Sequence, residues 1–250
     1  MKKVKEYGYD GVELAGSYGL PAAQIKKVLD ENGLVAISAH VPLDDMYDRP
    51  EETFSFYKTV GIPYIAVPWM GETGRPGGAQ FAETLDKIRR VGEIAKKYGM
   101  QLLYHNHDFE FVKVDGKYGL DLMYETIPAD LLQTELDTCW VNVGGEDPAA
   151  FVLKYSGRAP IVHLKDFFRP DGASNEGLYE LIGVKNNGQF NRAFEFRCVG
   201  HGMQNMPAIV AAAEKAGAGW VIVEQDRPSQ GLTPMECAYI SRRYLASIGL

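Results

Sequence analysis

Leu102-Leu103-Tyr104-His105-Asn106-His107-Asp108 decides how the rest of the chain is read. A short apolar run ends abruptly in polar and ionisable side chains, the pattern of a buried strand that surfaces into a site. Two of the five histidines stand here, two residues apart. Alternate residues of a strand share a face, so His105 and His107 can aim at one ligand or one metal. A pair of hydrogen-bonded histidines is the plainer alternative. Three later runs tip the balance towards a site, because they end in the same way. Residues 131–136 end at Asp137, residues 160–164 hold His163, and residues 220–223 end at Glu224.

Outward from these strands the chain keeps one rhythm. Further strands are expected at 11–14, 34–39 and 64–67. Helices are expected at 21–32, with Ile25, Val28 and Leu29 on one face, at 50–60 with Phe54, Tyr57 and Val60, and at 79–98. Each is stopped by a glycine: Gly33, Gly61 and Gly99. Shorter helices are expected at 120–127 and 148–155, then at 206–216, and a last one from Pro234 behind a Thr233 cap to about residue 248. Residues 171–189 are polar and glycine-rich and read as an excursion over one end of the fold. Residues 194–199 read as a short strand or hairpin arm.

Strand alternating with helix implies a parallel sheet wrapped by helices. No Gly-x-Gly-x-x-Gly follows an early strand, so a β/α barrel is preferred to an open dinucleotide-binding sheet. At 250 residues the chain suits one such domain, 1–250. Barrel active sites lie at the C-terminal ends of the strands. Here those ends carry Glu13, His40, Trp69, His105 with His107, Asp137, His163 and Glu224, so four of the five histidines fall at strand ends.

The net charge of −7 argues against a dedicated nucleic-acid binder, and no run is long and apolar enough to cross a membrane. Cys139, Cys198 and Cys237 are odd in number and widely spaced, which suits packing roles in a reducing compartment. The cytoplasm is the default location, with a lost upstream secretion signal as the alternative. The loop 71–78 is glycine-rich but lacks Gly-Lys-Ser/Thr, a weak basis for phosphate binding.

Asp137, His163 and Glu224 form a mixed oxygen and nitrogen set suited to one divalent ion, Mn²⁺, Mg²⁺, Co²⁺, Fe²⁺ or Zn²⁺. His105 is the candidate fourth ligand. Singly, each has an ordinary explanation: Asp137 as a helix cap, His163 as a core imidazole, Glu224 paired with Arg227. Lys165 shares the His163 face and can stabilise a developing oxyanion, or else lie along the surface. Asp166 points the other way and orients a neighbour, and Cys139 reads as packing. Arg197 and His201 flank the arm at 194–199 and are candidates to bind anionic or hydroxyl groups. Trp69, Trp140 and Tyr104 are candidates either for a wall against the apolar face of a sugar ring or for core. Glu135 lies one layer below Asp137 and needs a partner that the sequence does not name.

The segments Tyr7-Gly8-Tyr9-Asp10-Gly11-Val12-Glu13-Leu14, Tyr104-His105-Asn106-His107-Asp108-Phe109-Glu110-Phe111, Leu136-Asp137-Thr138, His163-Leu164-Lys165-Asp166 and Val223-Glu224 resemble the sugar phosphate isomerase/epimerase family of the xylose-isomerase-like barrel superfamily. The resemblance spans nearly the whole chain. It implies a TIM-type (β/α)8 barrel that uses a divalent metal on sugars, sugar phosphates, ketosugars or inositol derivatives, as an isomerase, epimerase or related lyase. The family's metal set is Glu, Asp, His, Glu. Asp137, His163 and Glu224 match the last three places, and the first, often Glu-Asn-His in relatives, reads His105-Asn106-His107 here. Family epimerases exchange a proton between the first and last glutamates. Here Glu224, His105 and Lys165 become the catalytic candidates, with Glu13, His40, Trp69, His107 and Arg197 as candidates for substrate binding.

Two more departures stand out. Val199-Gly200-His201-Gly202 replaces a common Gly-Glu-Gly. The first strand and most of the first helix are missing before residue 7, which implies a truncated or misassigned start, or a seven-strand barrel with an open seam. An unpaired edge invites a partner, so a homo-oligomer is expected. The same superfamily includes apurinic endonucleases, but five histidines and an acidic balance fit a three-zinc cluster and a basic groove poorly. A non-catalytic sugar-binding barrel is the remaining alternative.

Overall fold

Seven short apolar runs become seven parallel strands in the computed structural model, which describes residues 1–184 and 193–250. They are β1 (Gly11–Leu14), β2 (Val35–His40), β3 (Tyr64–Val67), β4 (Gln101–His105), β5 (Gln133–Asp137), β6 (Ile161–Leu164) and β7 (Trp220–Val223). Their spatial order is their sequence order, as in a barrel wound one strand at a time. The helices are α1 (Lys2–Glu6), α2 (Ala22–Glu31), α3 (Leu43–Asp48), α4 (Pro50–Val60), α5 (Phe81–Lys97), α6 (Gly119–Thr126), α7 (Thr138–Val143), α8 (Pro148–Lys154), α9 (Met206–Ala216) and α10 (Pro234–Ser247). The expected strands and most expected helices are present, and Thr233 and Glu236 close a reciprocal cap on α10. α3 and α7 were not anticipated. Both are one and a half turns long, too short to show a helical period.

The strands sort their side chains by parity. Leu14, Ala39, Ile65, Val67, Leu102, Tyr104, Leu136, Val162 and Leu164 face outward into the core shared with the helices. Ile37, Ala66, Leu103 and Ile161 face inward and, with Trp220 and Ile222, form an apolar floor inside the barrel. Two residues further along most strands comes a layer of ionisable side chains. Tyr104 therefore belongs to the outer core and not to a pocket wall. Its hydroxyl donates to the buried Glu110 carboxylate.

One strand breaks the alternation. Val12 pairs with Ala36, but Glu13 pairs with Ser38, which leaves Ile37 as an extra residue in β2. This β-bulge resets the parity of the strand. Ile37 and Ser38 both face inward, and the alternation then resumes with Ala39 outward and His40 inward. In a regular strand Ile37 and His40, three apart, would face opposite ways.

The sheet stops at β1 and β7, which do not pair with each other. The seam between them is a cleft of about 490 Å³ lined by residues including Gly11, Ile37, Trp220, Val223, Leu245 and Ile248. α10 spans its outer side. Arg242 donates to the carbonyls of Gly8 and Leu250 at 2.8 and 2.9 Å, and Tyr9 donates to the carbonyl of Ala238 at 2.8 Å.

Residues 171–184, part of the stretch read as a polar excursion, are anchored beside the mouth; the rest of that stretch, from 185, lies outside the described residues. Leu178 and Leu181 are buried with Cys139, Trp140, Phe167, Phe194 and Phe196 in a separate cluster at one side of the mouth. Glu195–Arg197 is the expected hairpin arm and pairs antiparallel with Asp166–Phe168.

Helix α5 lies close to the segment entering β5. A Cβ on Gly92 would stand 2.5 Å from the Leu131 carbonyl oxygen, closer than real contacts allow. Gly92→Ala is therefore expected to cost about 1–3 kcal/mol, the usual penalty of overpacking. Urea denaturation reads this as a lower midpoint with an unchanged slope.

Candidate metal centre

The ionisable layer begins where each strand runs out of apolar residues. His105 ends β4, Asp137 ends β5, His163 sits one residue before the end of β6, and Glu224 follows β7. Register aligns them: Asp137 pairs with His163 across β5 and β6, and Ile222 pairs with His163 across β6 and β7. The His105 Nε2 atom lies 3.4 Å from Asp137 Oδ2 and 3.3 Å from Glu224 Oε2. The His163 Nδ1 atom lies 2.8 Å from the same Glu224 oxygen. These four residues each offer one donor atom, all within 4.8 Å of one another.

Backbone locks hold the two ends of β4 and β5 in step. Asn106 accepts from the Asp137 N–H at 2.9 Å and donates to the Asp137 carbonyl at 3.3 Å. Asp137 divides its two oxygens. Oδ1 accepts the Trp140 N–H at 3.0 Å and caps α7, while Oδ2 is buried with no hydrogen-bond partner among the described residues. A buried carboxylate oxygen left unpaired is costly, and a divalent cation between it and the imidazoles supplies what it lacks. The donor set fits such an ion: two imidazole nitrogens and two carboxylates, with one donor atom from each within 4.8 Å of all the others.

Below this set lies another. Glu135, one layer deeper on β5, meets His40 Nε2 at 2.7 Å and His163 Nε2 at 3.6 Å. Glu13 meets the same two nitrogens at 3.3 and 3.1 Å. Glu13, His40, Glu135 and His163 also bring four donor atoms within 4.8 Å. So the partners of Glu135 are His40 and His163, reached across the barrel.

Lys165 continues the inward face of β6 and is buried, contrary to a surface lysine. Its ammonium lies 2.6 Å from Asp226, 3.4 Å from Glu224 and 3.7 Å from Asp137, and packs over Trp140 and Phe196. Asp226 was not singled out in the sequence, although it stands two residues beyond Glu224 and so on its face. Asp166 faces away, as expected, and accepts the N–H groups of Phe167, Gly200, Gly202 and Gln204. That fixes the turn of Val199-Gly200-His201-Gly202.

Burial and neighbouring charge together set the protonation of the layer. Burial opposes the charged form of His105, but Glu224 and Asp137 outweigh it and lift the imidazole to about 10. Burial likewise opposes a charged Glu224, yet Lys165, His105 and His163 hold its carboxyl well below the usual range. His163, buried but facing Glu13, Glu135 and Glu224, is raised well above the ordinary histidine value. For Glu135, the charges of His163 and His40 overcome burial and hold the acid ionised.

His107 goes elsewhere. Burial, reinforced by the charges of His105 and Lys165, keeps its imidazole neutral. It packs among Trp69, Phe109 and Trp140, with ring centroids 4.7, 5.4 and 5.0 Å away. Tyr179, from the 171–184 stretch, closes this aromatic wall and donates to Asp108 at 2.5 Å. Arg75, from the glycine-rich loop, lays its guanidinium 4.0 Å from the Phe109 ring centre and 4.7 Å from that of Trp69. Neither Tyr179 nor Arg75 was expected here. The signal for Tyr179 was its place in an apolar run, Leu178-Tyr179-Glu180-Leu181-Ile182, inside a polar stretch.

Two expected residues are not brought to the cluster. Arg197 pairs with Glu195 at 2.9 Å and lies over Phe168. It is on the opposite face of its strand from Phe196, which meets Lys165. His201 is exposed, near Tyr244.

The chain is similar throughout to known proteins. The model of the xylose isomerase-like TIM barrel family matches residues 1–246. The inosose dehydratase of Lacticaseibacillus casei is 27% identical over 261 residues, covering 95% of this chain and 85% of that protein. Among solved structures, a sugar phosphate isomerase/epimerase from Parabacteroides distasonis ATCC 8503 superposes with a TM-score of 0.76 at 22% identity, covering 98% of this chain and 85% of that one. The IolI protein, solved with a zinc atom, superposes with a TM-score of 0.71 at 15% identity over 98% of this chain and 90% of its own.

The raised His105 makes a pH prediction for protein stripped of metal. A group that binds its proton more tightly when folded adds stability below its unfolded value of about 6.5. That stability is lost as pH rises through the folded value, about 10. In the presence of chelator, the urea midpoint should fall between about pH 7 and pH 10, and fall less in His105→Gln.

Proposed function

The chain belongs to the xylose isomerase-like TIM barrel family, and from that membership we propose that it is a divalent-metal-dependent enzyme acting on a sugar- or inositol-derived ketone. The reaction is removal of a proton from the carbon beside the carbonyl, followed by loss of water. A divalent ion held by His105, Asp137, His163 and Glu224 would polarise the carbonyl or an adjacent hydroxyl and acidify the neighbouring C–H.

The observation that carries this reading is the asymmetry of the groups around Glu224. Of the four candidate ligands its side chain is 20% exposed, against 3% for His105 and none for Asp137 and His163. Glu224 is therefore the member that a substrate can touch, and its second oxygen faces Lys165. Glu224 takes the proton from carbon. Lys165 is itself buried, so its proton would reach the departing hydroxyl by way of the partly exposed Asp226 carboxyl that it meets at 2.6 Å, and the hydroxyl leaves as water while the C=C bond forms. Exchange of a proton between two carboxylates, as an epimerase needs, lacks its second base, because Nε2 of His105 is already directed at Asp137 and Glu224. The dehydratase name of the Lacticaseibacillus casei relative supports the same outcome. Trp69, the half-buried ring of the aromatic wall, would face the apolar side of a substrate ring, with the buried His107 and Trp140 packed behind it.

The test uses inosose and a panel of ketoses with Mn²⁺- or Zn²⁺-loaded protein in D₂O, followed by NMR. Elimination of water, with solvent deuterium exchange beside the carbonyl, is the expected result. Lys165→Met should keep its metal and lose roughly 10²–10⁴-fold in kcat, the range of a positioned acid or base. A fully loaded wild type that turns over none of the panel and exchanges no proton would favour a non-catalytic binding barrel. Inversion at carbon without loss of water would restore the epimerase reading.

A further inference from the structure

The lower cluster is arranged in a way that hydrogen bonds alone do not explain. An imidazole N–H points along one line and serves one acceptor. Yet His40 Nε2 faces both Glu135, at 2.7 Å, and Glu13, at 3.3 Å. His163 Nε2 likewise faces both Glu13, at 3.1 Å, and Glu135, at 3.6 Å. The second oxygen of Glu135 and the His163 Nε2 atom are buried and have no hydrogen-bond partner among the described residues. Four donor atoms thus converge on one point from four different strands. Ligands held at about 2.0–2.2 Å in a tetrahedron stand roughly 3.4 Å apart, and the four measured edges, 2.7 to 3.6 Å, bracket that spacing.

We propose that Glu13, His40, Glu135 and Nε2 of His163 form a second divalent-cation site beneath the first, with His163 bridging the two through opposite ring nitrogens as an imidazolate, its ring proton released to solvent when both ions are bound. Nδ1 faces Glu224 and the upper set, and Nε2 faces the lower one. The lower site has four protein ligands and lies under the mouth, so it has the closed character of a structural site, and two imidazoles with two carboxylates suit zinc. Its work would be to fix the plane of His163. A metal-bound histidine is oriented by what its other nitrogen meets, and here that partner would be a second ion instead of a carboxylate. The proposal does not depend on the reaction assigned to the upper site.

The experiment is zinc loading of chelator-stripped protein, read by native mass spectrometry, with cobalt(II) titration followed by visible absorption. Wild type should hold two ions and show two successive increments of absorption. Glu135→Gln, His40→Gln and Glu13→Gln should each hold one, as should Asp137→Asn and His105→Gln, but the two groups should lose different increments. Because Glu135 is fully buried, circular dichroism and melting must show each variant folded, and Glu13→Gln, which alters the most accessible carboxylate of the set, decides if Glu135→Gln does not fold. A wild type that holds one ion, retained by both Glu13→Gln and His40→Gln but lost in Asp137→Asn, would overturn the proposal and leave the upper site intact. One ion lost in Glu13→Gln and kept in Asp137→Asn would uphold the lower site and remove the metal from the proposed reaction.

Discussion

Five carboxylates, Glu13, Glu135, Asp137, Glu224 and Asp226, converge in and just above one barrel interior, and the fold can hold them only against countercharge. Removing an ion from water costs several kcal/mol even after relaxation. Three imidazoles and the Lys165 ammonium sit among these acids, each within 4 Å of at least one of them. No local segment could satisfy this requirement. Every acid in the group finds its partner on another strand, so the site exists only when the strands stand in register. The apolar floor of Ile37, Ala66, Leu103 and Ile161 beneath it supplies the registration and keeps the charged layer at one height.

The rigidity of the layer comes from bonds between side chains and the backbone. Asn106 ties β4 to the backbone of Asp137 with a donor and an acceptor. Asp137 turns one oxygen to α7, so the helix that follows the strand also sets the rotamer of the other oxygen. Asp166 gathers four backbone N–H groups and holds the 198–204 turn against the end of β6. These are side chain to backbone contacts, which hold a position without competing for the charges.

Much of this was legible in the sequence, for a physical reason. A strand that ends in a barrel mouth changes from apolar to ionisable within two residues, and the chain announces that change at His105, Asp137, His163 and Glu224. What the sequence concealed were contacts across the barrel. Nothing near Glu135 points to His40, which is 95 residues away. Some errors were avoidable, since parity assigns Tyr104 to the face opposite His105 and separates Arg197 from Phe196. The burial of Lys165 followed from the same alternation that placed it beside His163. The aromatic wall is different: Tyr179 arrives from a stretch whose composition reads as loop, and only the apolar neighbours Leu178 and Leu181 mark it as anchored.

The extra residue in β2 lets one strand fill the barrel and bind in it as separate tasks. Substitution of Ile37 by another apolar residue changes the volume of the floor, a matter of degree. Removal of Ile37 itself would turn the bulged strand regular and leave the imidazole of residue 40 facing inward, three positions after the outward Ala36. The shorter strand would keep its histidine and lose its share of the floor. The bulge thus works as a one-residue graft, and the filling residue can change or go without moving the residue that binds.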